Sequence, residues 1–198
     1  MYSTKQMRSM TLKTILIPCV ALLMVTSCKK GDPGTANVIF SDWFKPDTYK
    51  KDTLFGIYGF KYDQAAPQIT SKLLDSGTVI VYGKLLGYNP AIWPTTQVAP
   101  LPISLTYIQG TTMTDTWSAL STPGNIRIRF TNDKNYYGSI ANSHMFRYIV
   151  IPGAVKVTGT TGSRNILTRS GRTLDAGAFQ DIEHMSYAEV CAKLDIPE

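Results

Sequence analysis

The chain has 198 residues, with 20 Lys and Arg against 14 Asp and Glu, a formal net charge of +6 and three cysteines. Three of the basic residues and none of the acidic ones lie in the first 27, so the remainder carries only +3. Its arginines are scattered, which excludes the basic stripe of a nucleic-acid binder, and three cysteines exclude a disulfide framework.

Residues 1–13 carry Lys5, Arg8 and Lys13. Residues 14–25 (TILIPCVALLMV) are an apolar run interrupted by Pro18. A basic head, a short apolar middle and small residues at a cut predict a secretory signal over 1–27. The run is too short to span a bilayer, which takes about 20 residues. Val25-Thr26-Ser27-Cys28 is similar to the bacterial lipobox, so Cys28 is the predicted lipid attachment point and the membrane is the first partner. Each acyl CH₂ buried in the bilayer contributes about 0.8 kcal/mol, so two or three chains anchor firmly. Cys19 leaves with the signal and Cys28 carries lipid. Cys191 is then alone, and no intrachain disulfide can form.

Residues 28–35 (CKKGDPGT) read as a tether, followed by one domain over 36–198. Strands are predicted at 36–44, 54–61, 78–86, 101–108, 125–131 and 145–151. Of these, 78–86 (TVIVYGKLL) is apolar on both faces. In 125–131 (NIRIRFT) Ile126, Ile128 and Phe130 face in, while Arg127 and Arg129 face out. Pro152-Gly153 stops the last strand. A first helix is predicted at about 67–75, with Pro67 in its first turn and Gly77 past its end. The C-terminal helix, about 187–194, opens on Ser186-Tyr187-Ala188-Glu189, a capping box. Met185 and Val190 suit a hydrophobic staple. Tyr187, Val190, Cys191 and Leu194 make its apolar stripe. Residues 155–178 read as a hairpin or long loop with Arg164, Arg169 and Arg172 on its surface. The predicted fold is mainly β: an antiparallel β-sandwich of roughly seven or eight strands with two helices.

Candidate sites are few. His144 follows Ser143, but no Gly-x-Ser-x-Gly elbow accompanies it, and a surface turn is the plainer reading. His184 adjoins Glu183 without metal-ligand spacing. Residues 133–144 begin like a calcium loop and fail at Tyr137 and at His144, which favours a polar hairpin turn at Thr131-Asn132-Asp133. No glycine-rich phosphate cradle occurs, so no cofactor is expected. Trp93, in a proline-framed loop, and Trp117, near Thr114-Asp115-Thr116, are candidate ligand-binding rings. Tryptophans on sandwich loops stack on sugars, although most tryptophans cap a core. Asp52-Thr53-Leu54 resembles a three-residue O-glycosylation site, with Thr53 as acceptor.

Several segments together resemble a family of small Bacteroidota lipoproteins. They are Cys28-Lys29-Lys30-Gly31-Asp32-Pro33-Gly34 with Ala36-Asn37-Val38, then residues 69–82 (ITSKLLDSGTVIVY), Pro100-Leu101-Pro102, residues 146–153 (FRYIVIPG) and Tyr187-Ala188-Glu189-Val190. Members carry a lipobox, a collagen-like Gly-X-X stretch, which is nearly missing here, and an all-β domain. The resemblance implies an envelope location and a fold, and no activity. The expectation is a non-enzymatic lipoprotein of the cell envelope, at the outer membrane, with a structural or partner-binding role. A glycan-binding accessory lipoprotein using Trp93 and Trp117 is the alternative.

Overall fold

The computed structural model describes residues 38–153, 166–168, 170–174 and 181–198. The signal, Cys28, the tether, Arg164 and Arg169 lie outside them. The described residues are mainly β, in two principal antiparallel sheets. One sheet has the order β2-β3-β8-β7-β6: β2 Lys50–Lys51, β3 Gly59–Ala66, β6 Ile103–Gln109, β7 Thr111–Thr122 and β8 Gly124–Asn132. The other has the order β1-β9-β4-β5: β1 Ile39–Phe40, β4 Thr78–Lys84, β5 Ala99–Pro100 and β9 Met145–Ile151. A small hairpin pairs β10 Ile166–Leu167 with β11 Thr173–Leu174.

The inner faces of the two principal sheets share one core. Phe60, Trp117, Ile126, Ile128 and Phe130 come from the first sheet, and Val81, Phe146, Tyr148 and Val150 from the second. The first sheet turns its other face to water. Its strands therefore alternate, as β8 does: Ile126, Ile128 and Phe130 are buried, while Arg127 pairs outside with Asp63 at 2.7 Å. The second sheet is covered on both sides. Tyr82, Ile149 and Ile151 pack with Tyr187, Val190, Cys191 and Leu194 of α2, Tyr187–Leu194. Burial on both faces is why β9 is apolar or aromatic at every position except Arg147. α2 begins as its sequence requires, with both halves of the Ser186–Glu189 capping box formed.

Four expectations need correction. The first helix, α1, spans Ser71–Ser76, and its cap is Thr70, whose hydroxyl accepts from the Leu73 N–H, so Pro67 lies outside it. Residues 54–58 do not begin a strand. Leu54 and Ile57 bridge across a turn in which Phe55 and Gly56 take positive φ, and β3 starts at Gly59. Position 59 requires glycine, because a Cβ there would meet the Asp52 carbonyl oxygen at 2.6 Å. Thr131-Asn132-Asp133 is no hairpin turn: β8 runs to Asn132, and residues 133–144 carry the chain on to β9 in the other sheet. Residues 111–122, passed over in the sequence, form the longest described strand, β7.

A polar cleft beneath the tyrosines

β7 places Met113, Asp115 and Trp117 on the buried face, with exposures of 1%, 0% and 1%. Asp115 is thus a carboxylate inside the sandwich. Such burial is costly unless every lone pair is used. Here four donors meet it. Asn132 lies directly opposite on β8 and donates its amide at 2.8 Å. Tyr107 of β6 is a diagonal neighbour on the same face, because its own partner is Met113, and its phenol donates at 2.9 Å. Tyr88, from the loop after β4, donates at 2.8 Å, and Tyr137, from the segment before β9, at 3.2 Å. The Trp117 indole N–H then donates to the Tyr88 oxygen at 3.0 Å. Burial pushes the Tyr88, Tyr107 and Tyr137 phenols above their usual range. The Asp115 charge adds to this at Tyr88 and Tyr137, and at Tyr107 the hydroxyl contact with Tyr137 at 2.5 Å adds first and Asp115 next, so the phenols keep their protons.

These groups floor a cleft of about 410 Å³. That falls within the size range of small-molecule sites. Asn89, Ile92, Ser139 and Ile140 also line it. His144 closes the base. It is 6% exposed, packs edge-on against Trp117 at 4.5 Å, and accepts the Leu86 N–H on Nδ1 at 3.1 Å. The predicted surface turn is therefore a buried histidine.

Burial holds the His144 pKa down to about 4, against an ordinary value of 6.5. The unfolded chain therefore takes up this proton first as pH falls. The neutral imidazole's contribution is complete above 6.5 and is lost as pH falls toward 4. The expected loss is roughly 2 kcal/mol by pH 5. Urea midpoints at pH 7 and pH 5 measure it. His144→Asn, which keeps an acceptor near the Leu86 N–H, should flatten the difference. An unchanged wild-type midpoint contradicts the assignment.

The other sequence candidates lie elsewhere. Trp117 belongs to β7 rather than to a loop, and its ring floors the cleft. Trp93 is 7% exposed and sits in the core. Asn89 turns it inward by capping the Ala91 N–H at 2.9 Å and accepting the Ile92 and Trp93 N–H groups on its carbonyl. Neither ring is displayed at the surface. Thr53 is exposed beside the 54–57 turn. Its neighbour Asp52 is occupied by Lys61 at 3.0 Å and Arg129 at 2.8 Å. In the segment that resembles a calcium loop, Asp133 Oδ1 accepts the Thr114 N–H at 2.8 Å. No group of three or more His, Cys, Asp or Glu side chains is placed to hold a metal among the described residues. His184 is exposed in a 3-10 turn, Ile182–His184, and Arg172 donates to the Lys193 carbonyl. Among the described residues no helix is long and apolar enough to cross a membrane.

Sequence reading missed Tyr88, Tyr107, Asp115 and Tyr137 as a set. The available signal was the alternation Met113, Asp115, Trp117 against Thr112, Thr114, Thr116, which is a strand with one polar residue on its inner face. Compared with protein-family models, with curated proteins and with solved structures, the chain has no match in any of the three.

Proposed function

We propose that this chain is a lipid-anchored protein of the cell envelope, held at the outer membrane through Cys28, that binds a ligand or partner without transforming it. The anchor rests on the basic head, the short apolar run and the Val25-Thr26-Ser27-Cys28 cut. The binding role rests on one observation: the carboxylate of the cleft and the phenols around it are hydrogen-bonded to one another. Both Asp115 oxygens already accept hydrogen bonds, and His144 Nδ1 holds a backbone N–H. A general base needs a lone pair free to take the substrate's proton. A pre-organised network of this kind suits recognition instead. A neutral glycan is the second reading, favoured by the tyrosine rings along the cleft.

Metabolic labelling with a clickable fatty acid tests the anchor. The wild-type protein should incorporate label and fractionate with membranes, and Cys28→Ala should lose both properties. Label retained on Cys28→Ala overturns the anchor.

A further inference from the structure

We propose that the cleft above Asp115 takes a small organic ammonium group, seated against the rings of Tyr88, Tyr107 and Tyr137. This rests on the reading of the cleft as a binding site and adds the charge and chemistry of what it binds.

The first support is the sign of the site. No Lys, Arg or Glu lines the cleft, and Asp115 is the one carboxylate there. The five ion pairs among the described residues join other groups, and none includes Asp115. The carboxylate is satisfied by dipoles alone, so its field has no neighbouring cation to cancel it. In a low-dielectric floor that field reaches into the cleft, where a cation is attracted and an anion repelled.

The second support is the aromatic wall. Tyr88 and Tyr107 stand edge to face at 6.3 Å, and Tyr137 meets Phe130 at 5.3 Å. Tyr88, Tyr107 and Tyr137 are only partly buried, so they contact both Asp115 and the open cleft. A phenol that donates to a carboxylate gains electron density in its ring, which strengthens the face that attracts cations. Rings of this kind around an alkylated ammonium are a recurrent means of binding it.

The third support separates this ligand from a sugar. A sugar needs free acceptors for its hydroxyls, and both Asp115 oxygens already accept hydrogen bonds from the protein. An ammonium group bearing methyls needs only field and ring faces, and both are present.

The test uses the full-length protein in detergent micelles, read by titration calorimetry. The probes are choline, its uncharged carbon isostere 3,3-dimethylbutan-1-ol, and glucose. Choline should bind at least tenfold more tightly than the isostere. Asp115→Asn should weaken choline at least tenfold and leave the isostere unchanged. If that variant loses its near-UV circular dichroism, Tyr137→Leu, which removes one ring and keeps the carboxylate, should weaken choline by a similar factor. Equal binding of choline and the isostere overturns the proposal. Glucose binding in place of choline overturns the ammonium group and leaves the cleft as a binding site. Silence toward every probe overturns the ammonium proposal too and removes this support for the cleft. Flotation of Cys28→Ala with phosphatidylcholine vesicles, reversed by free choline, assigns the ammonium to a lipid headgroup. Choline binding without flotation assigns it to a free amine.

Discussion

Replacing Arg147 with alanine is expected to lower the unfolding free energy by about 3–5 kcal/mol. Arg147 lies within β9, opposite Tyr82, and is 2% exposed. Its guanidinium donates to the Ser41 carbonyl at 2.8 Å, to the Tyr187 hydroxyl and to the Pro197 carbonyl, and it lies 5.0 Å from the Phe40 ring centroid. One side chain thus joins β9 to the segment after β1, to the first turn of α2 and to the C-terminus. A hydrogen bond to a charged group contributes about 1.5–3 kcal/mol, and acceptors left dry cost a comparable amount. Alanine removes the bonds and leaves a cavity. Arg147→Lys should recover less than half of the loss, because an ammonium lacks the planar fork that serves separate acceptors at once. Urea unfolding of the full chain reads both variants. A loss below about 1 kcal/mol for alanine contradicts this account.

Asp115→Ala carries the second large effect, about 2–4 kcal/mol. Four donors converge on this carboxylate from four other strands or loops. Removing the shared acceptor strands them together. The Asn132 amide is 2% exposed and has no route to water in place. The half-buried phenols can turn toward solvent, which keeps the total below a simple sum over four orphaned groups. Asp115→Asn keeps the shape but aims an amide N–H at groups that also donate, so it should fall between alanine and the wild type. Urea midpoints rank the three proteins. An alanine variant as stable as the wild type would show that the phenols are satisfied without the carboxylate.

Much of the fold was legible because it is locally encoded. α2 carries its own start signal, and its stripe Tyr187, Val190, Cys191 and Leu194 is the face that is buried. β9 was read over its full span, Met145–Ile151, since apolar or aromatic residues at all positions but Arg147 leave few alternatives to a covered strand. β7 escaped for the opposite reason. Asp115 occupies an inward position where the pattern calls for an apolar side chain, and its compensation comes from Tyr107, on the preceding strand, and from Asn132, Tyr137 and Tyr88, 17, 22 and 27 residues away. The rule that buried charges are satisfied is non-local, so no window along β7 contains the explanation. His144 follows the same logic: its burial depends on Trp117 and on the Leu86 N–H, and nothing in Ser143-His144-Met145 announces either. The 54–58 segment failed through a turn. Leu54-Phe55-Gly56-Ile57-Tyr58 has strand-like composition, but positive φ at Phe55 and Gly56 reverses the chain there.

Sheets that meet at high local density can pair through unfilled edges, and the strand order bears on that hazard. β1, β2 and β5 are edge strands of two residues each, β2 is made of Lys50 and Lys51, and β5 ends in Pro100. Short, charged or proline-bearing edges offer few backbone partners to a neighbour. Among the described residues, β6 is the one long open edge, and it ends beside the cleft. In the two principal sheets of the described residues, three margins are therefore blunted and one is long enough to zip to another chain. Any encounter between copies that involves strand addition is channelled to the Ile103–Gln109 side, where Ile108 is 79% exposed.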